Sequence, residues 1–167
     1  MKEKIRMYLS LALVIGAIIA LDIATKVQIV KNFSLGERFD MLGGFIRIAL
    51  VYNEGFVFGL GQGYKNVALV ISLVVLTAMV IYYFMESNRS LLFNASMALI
   101  VSGAVGNIID RIIPGRPGVV DFISVGVDGV YRWPSFNVAD SSIVVGAFLL
   151  IIVFIREEKR RKQLEAQ

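Results

Sequence analysis

Four long apolar stretches decide what this chain can fold into: residues 7–30, 67–85, 91–109 and 138–155. A helix needs ~20 mostly apolar residues to cross a hydrocarbon core of ~30 Å. Each stretch is of that order. In lipid, every backbone N–H and C=O must be satisfied within the protein, so such stretches are helices. Composition agrees: 57% of the residues are hydrophobic and 18% are charged, where soluble domains carry ~25% charged residues. A length of 167 residues suits a single integral membrane domain over 1–167. Lys2, Lys4 and Arg6 precede the first stretch, as in a signal peptide. No small-residue cleavage site closes that run, however, and three more spans follow it.

The connections are unequal. Residues 86–90 form a tight link, whereas residues 31–66 and 110–137 form long loops. An even number of spans places both termini and the short link on one side. That side carries nine basic residues: Lys2, Lys4, Arg6, Arg89, Arg156, Lys159, Arg160, Arg161 and Lys162. They crowd into short segments, while the other eight are spread over the long loops and their flanks. This density predicts cytoplasmic termini, with a cytoplasmic tail over 156–167. The basic tail reads as an anchor on anionic membrane lipid and not as a nucleic-acid site. All six aspartates (Asp22, Asp40, Asp110, Asp121, Asp128 and Asp140) fall at or beyond the opposite ends of the spans. A functional surface is therefore expected near the outer face of the membrane.

The chain has no His and no Cys. That excludes zinc sites built from those residues, a Cys nucleophile and a Ser-His-Asp triad. No metal and no cofactor is expected. The chemistry must come from Asp, Glu, Lys, Arg, Tyr, Ser, Thr or Asn.

The first outer loop is too rich in glycine for a helix. Within it, residues 45–52 form a β-rich run and residues 55–59 a shorter one. In the second loop, residues 119–125 read as extended, and Asp128-Gly129 is a tight-turn signal. The expected fold is a membrane all-α domain of four transmembrane helices, with a small antiparallel β-sheet on its outer face. An irregular loop is the alternative to the sheet. Trp133 and Tyr131 suit a lipid–water interface.

Three polar constellations stand out. In Gly103-Ala-Val-Gly106-Asn107-Ile-Ile-Asp110-Arg111, Asn107 and Asp110 share a helix face. Such groups at membrane depth are functional or internally paired; the alternative is that they only tie helices together while Arg111 snorkels. In Phe136-Asn137-Val-Ala-Asp140 the same spacing recurs at the start of the fourth span, where an aspartate is also an ordinary helix cap. In Val119-Val120-Asp121-Phe122-Ile123 an acid sits in an apolar strand-like run. Asp121 and Asp140 lie on the same side of the membrane, so a paired-carboxylate site is available. Two close carboxylates share a proton: the ionised one activates water and the protonated one polarises a carbonyl.

At these residues the chain resembles the bacterial lipoprotein signal peptidases, also called signal peptidase II. The matching blocks are Asp22-Ile-Ala-Thr25-Lys26, Asn53-Glu-Gly55-Phe-Val-Phe58-Gly59, and the three constellations above, in the same order. The resemblance implies an aspartic endopeptidase of the plasma membrane. Such an enzyme cuts the signal peptide from a prolipoprotein just before a cysteine carrying diacylglycerol. It implies Asp121 and Asp140 as catalytic residues. Asp22, Lys26, Asn53, Gly55, Asn107, Asp110, Arg111 and Asn137 would be the supporting and substrate-binding residues. The expected partners are the diacylglyceryl-modified prolipoprotein and membrane lipid, with no nucleic acid, and the enzyme is expected to be a monomer. Two departures stand out: Pro114-Gly115-Arg116-Pro117-Gly118 lengthens the stretch after Asp110-Arg111, and Phe56 and Val57 replace small residues. Phe45, Phe56, Phe58 and Trp133 would offer a greasy path for acyl chains.

Other readings explain less. A proton relay needs ionisable groups at several depths, and the inner halves of the spans have none. A Ser–Lys peptidase would need a marked Ser, and Lys26 has an ordinary snorkelling role open to it. A purely structural protein leaves Asp121 unexplained.

Overall fold

The computed structural model describes residues 2–55, 61–87 and 89–166. The four apolar stretches are helices: α1 Lys2–Asn32, α2 Lys65–Met85, α3 Leu91–Ile112 and α4 Val138–Glu165. All four are long and apolar enough to span a membrane. They run beyond the expected hydropathy limits because nothing stops the helix where the apolar run ends. Thus α3 continues to Ile112 and carries Asp110 and Arg111 in its last turn, and α4 takes in most of the basic tail.

The third helix is central. More than half of its apolar window is buried (56%), against 6% for α1 and α2 and 22% for α4. Helices in lipid associate by close packing and not by hydrophobic expulsion, so small residues mark the contacts. Gly103 lies against the Ala139 backbone, and Gly146 lies against Ser96 and Ile100. A methyl group at Gly103 would meet the Ala139 carbonyl. The outward faces are apolar and open, as at Leu13, Val74 and Phe148.

A four-stranded antiparallel sheet caps the end away from the termini, in the order β1 Arg38–Met41, β2 Ile46–Asn53, β3 Val119–Val127 and β4 Tyr131–Arg132. The β-rich run 45–52 becomes β2, and the run 119–125 becomes β3. Asp128-Gly129 makes the turn to β4, closed by a hydrogen bond from Val130 N to the Val127 carbonyl. The first strand, β1, had no sequence signal: Arg-Phe-Asp-Met is too short to show a period. The run 55–59 lies outside the described residues beyond Gly55. The register between β2 and β3 slips between Ile48 and Val51, after which Val51, Tyr52 and Asn53 face Asp121, Val120 and Val119. Leu50, Val120 and Phe122 form a small core with Ile29 of α1 and Phe33 just past its end. That core fixes the sheet to the bundle.

Candidate active site

The site lies where α1, α3, α4 and the sheet meet, and each element contributes for a local reason. Helix α4 begins with a capping box: the Asn137 side chain accepts from Asp140 N (2.8 Å), and the Asp140 carboxylate accepts from Asn137 N (3.1 Å). This satisfies orphan N–H groups of the first turn. It also fixes Asp140 over the central helix. Asp121 is in the buried first half of β3 and is only 2% exposed. Asn53, two residues diagonal to it on the facing strand, donates to its Oδ2 (3.1 Å). Such diagonal neighbours on one sheet face lie within side-chain reach.

Asparagine amides join the two acids. Asn137 Nδ2 donates to Asp121 Oδ1 (2.7 Å) and lies within 3.1 Å of Asn107 Oδ1. Asn107 Nδ2 donates to Asp140 Oδ1 (2.7 Å). Both carboxylates therefore hang on one Asn137–Asn107 bridge. Burial, and after it the nearby Asp140 carboxylate, push the Asp121 carboxyl up to about 8; the amides of Asn53 and Asn137 oppose this only in part.

Behind the amides is a charged layer. Lys26, 2% exposed, pairs with Asp22 (2.7 Å) and Asp110 (2.9 Å) and donates to Asn107 Oδ1 (3.2 Å). The snorkelling role open to Lys26 is thus not the one it takes: Asp22, one turn back on α1, and Asp110 on α3 hold it at depth. Asp22 also accepts from Ala139 N (2.9 Å), tying α1 to the start of α4. Gly106 lets Asp22 approach, since a methyl group there would come within 2.7 Å of its carboxylate. Asp110 accepts from Val120 N (3.0 Å), the residue before Asp121, and pairs with Arg116. Arg111 does not snorkel either. It is half-buried and donates to the Gly55 carbonyl (2.9 Å) and to its own helix at Asn107 (3.2 Å).

One cavity of about 620 Å³ reaches this cluster. Asn53, Asn107, Arg111, Asp121 and Asp140 line it, whereas Asp22, Lys26, Asp110 and Asn137 stand behind them. Gly55 meets the site through its backbone, donating to Asn53 Oδ1 (3.0 Å) and accepting from Arg111. The other walls are Ile71, Ser72 and Val75 of α2, Ile143 to Val145 of α4, and Trp133 to Phe136. Trp133 is in the wall and Phe45 is not; Phe56 and Phe58 lie outside the described residues. Sequence reasoning passed over Arg116 as a partner of Asp110. Its only signal was its place in the lengthened loop.

Two carboxylates, Asp121 buried and Asp140 half-buried, joined by amides in the wall of one cavity are the equipment of an aspartic peptidase. The signal peptidase (SPase) II family model matches residues 14–156. The chain belongs to the signal peptidase II family. It is thereby an aspartic endopeptidase, built on four membrane-spanning helices. The lipoprotein signal peptidase of Staphylococcus haemolyticus (strain JCSC1435) is 32% identical over 163 residues, covering 97% of this chain and 100% of that relative. That of Staphylococcus aureus (strain JH9) is 31% identical over 150 residues, 90% of each chain. A bacterial membrane enzyme solved by the in meso method at 2.3 Å superposes with a TM-score of 0.81 at 28% identity, covering 90% of both chains. Another, solved at 1.9 Å, gives 0.75 at 30% identity, covering 87% of this chain and 92% of that one.

Proposed function

We propose that Asp121 and Asp140 are the catalytic pair with which this enzyme removes the signal peptide from prolipoproteins. The observation that carries this reading is the placement of both carboxylates in one cavity wall on the shared Asn137–Asn107 bridge. We assign the pair's proton to Asp121, which burial and the neighbouring Asp140 carboxylate push up. Asp140, whose oxygens accept from Asn107 Nδ2 and Asn137 N, is the base. Asp140 takes a proton from a water whose oxygen attacks the scissile carbonyl carbon. Asp121 gives its proton to the carbonyl oxygen. In the second step Asp140 passes the proton it took from water to the amide nitrogen, and the C–N bond breaks. Asp121 takes back a proton from a hydroxyl of the tetrahedral carbon as the new carboxyl group forms, restoring one shared proton. Arg111, held by the Gly55 carbonyl, faces the substrate backbone.

The substrate's cysteine carries diacylglycerol, and the cavity suits it. Ile71 and Val75 on α2, and Val144 and Val145 on α4, line the cavity and are also widely exposed. They form an apolar mouth that opens sideways to lipid, so acyl chains stay in the bilayer while the peptide reaches the pair. The protein works as a monomer in the bacterial plasma membrane, with cytoplasmic termini and the site near the outer face. Purified wild type, Asp121→Asn and Asp140→Asn, offered a diacylglyceryl-modified prolipoprotein, test this reading. Cleavage by wild type alone supports it; substantial turnover by either variant overturns the assignment. Reporter fusions at both termini test the orientation, and an external C-terminus overturns it.

A further inference from the structure

A second cavity, of about 260 Å³, lies at the opposite end of the bundle, where both chain termini are. It is bounded by α1, α2 and α3, through Tyr8, Leu11 and Ile15, Val80 and Tyr83, and Asn94, Met97 and Val101. Almost all of its surface is apolar; the wall residues with polar side-chain groups are Asn94, Tyr8 and Tyr83. Asn94 is 2% exposed, and its Oδ1 has no hydrogen-bond partner. Its Nδ2 meets only the Met7 sulfur at 3.3 Å, a weak acceptor. A buried amide satisfied this poorly calls for a ligand or an explanation.

The rim supplies a second observation. Arg89 lies with its guanidinium 4.7 Å from the centroid of the Tyr83 ring and donates to Tyr8 Oη (3.3 Å). Both tyrosines are walls of the cavity. Among the described residues, no carboxylate pairs with Arg89. The cavity therefore has a cation at its mouth, a polar amide below it and an apolar cleft below that. Asn94 is three residues into α3, ~4.5 Å below its start at the helical rise, and Val101 is ~10 Å deeper.

A phospholipid has this vertical order: phosphate, ester carbonyls, acyl chain. We infer that this cavity is a binding site for an anionic phospholipid of the leaflet at the terminal end. One acyl chain lies between α1, α2 and α3, the phosphate rests on Arg89, and an ester carbonyl accepts from the Asn94 amide. The present orientation of the amide rests on the sulfur contact alone, so it can turn to donate to that carbonyl. Basic residues around this end, Arg6 among them, favour an anionic head over a zwitterionic one. The site is separate from the aspartate pair and is not needed for its chemistry.

The test uses the full-length protein in neutral detergent, titrated with phosphatidylglycerol or phosphatidylcholine and read by native mass spectrometry. Wild type should bind one phosphatidylglycerol at lower concentration than phosphatidylcholine. Arg89→Gln should weaken that binding by at least about fivefold, the scale of one basic residue at a membrane surface. Asn94→Leu should weaken it too, while both variants cleave prolipoprotein as wild type does. Equal binding of the two lipids by wild type overturns the proposal. So does unchanged phosphatidylglycerol binding by Arg89→Gln, which would mean an unspecific lipid shell. Arg89 is at the partly exposed rim, so its variant keeps the test decisive if Asn94→Leu does not fold.

Discussion

Strand β3 begins around one aspartate and runs into another, and the two meet opposite surroundings. Asp121 is buried, and its oxygens accept from the neutral amides of Asn53 and Asn137. Asp128, at the turn that ends the strand, is exposed and lies between two arginines: Arg47 at 2.6 Å and Arg132 at 2.9 Å. Burial and the Asp140 carboxylate push Asp121 up to about 8; Arg47 and Arg132 hold Asp128 down at about 2. A catalytic acid has to change its protonation during the reaction. Arginines fix a carboxylate as an anion, whereas amides fix its position and leave its charge free. In this protein Lys26 stays one layer back: it touches Asn107 and no carboxylate of the pair, and its charge only partly offsets the rise at Asp121.

The contrast breaks most visibly in cleavage. Asp121→Asn and Asp140→Asn each remove one half of an acid–base pair, and loss of general acid–base catalysis costs ~100-fold or more. Turnover of a lipidated precursor should fall at least that far with folded protein retained. Residual turnover well above that level in Asp121→Asn would put the acid elsewhere.

The next effect is on the layer that holds the amides. Lys26→Met leaves Asp22 and Asp110 buried with only Arg116 as counter-charge. Removing one partner of a buried ion pair costs about 3–5 kcal/mol. Thermal unfolding in detergent should show a large drop; an unchanged midpoint would mean the pair is solvated in the membrane protein.

The pH dependence then separates the two aspartates. Folded protein keeps the Asp121 proton up to about 8, while an unfolded chain releases it near 3.8. Stability from this group is full below 3.8 and is lost as pH rises through about 8. Cleavage should fall over the same alkaline limb, as the pair loses its last proton. Asp121→Asn should erase the alkaline loss of stability, measured by unfolding at about pH 5 and about pH 9. Asn53→Ala sharpens the test. The Asn53 hydrogen bond lowers the Asp121 pKa, so its loss should move the alkaline limb of activity to higher pH. Turnover should fall only several-fold, since a single hydrogen bond is worth about 1 kcal/mol. A limb that moves down would mean Asn53 accepts from the protonated acid and does not donate to it.

How much of this was legible beforehand follows from what a linear pattern can carry. The four helices were, because lipid demands length and apolarity from each one alone. The capping box at Asn137–Asp140 was visible as spacing, and it serves both as a helix cap and as part of the cavity wall. The place of Lys26 was not, since its partner Asp110 is on another helix and only packing brings them together. Nor was the Asp40–Arg47–Asp128–Arg132 cluster. It depends on β1, four residues too few to show a period, standing beside β2.

The smallest expected effect is at Asp128. The turn before β4 needs its Gly129 at positive φ, 80°, and that geometry does not depend on the Asp128 charge. If Asp128 changes to Asn, Arg47 keeps Asp40 at 2.7 Å, and Arg132 keeps the carbonyls of Gly44 and Gly126. Cleavage should therefore stay within about twofold of wild type, the scale of a surface substitution. The pH signature is opposite in sign to that of Asp121. The Asp128 pKa is depressed, so its contribution is present above the ordinary 3.8 and is lost as pH falls through about 2. Wild type and Asp128→Asn should differ slightly in unfolding midpoint at neutral pH and converge in strong acid. Added salt should also narrow the difference, because exposed ion pairs are screened. A variant as inactive as Asp121→Asn would mean that the two ends of β3 are coupled, and that the arginine cluster helps to set the position of Asp121.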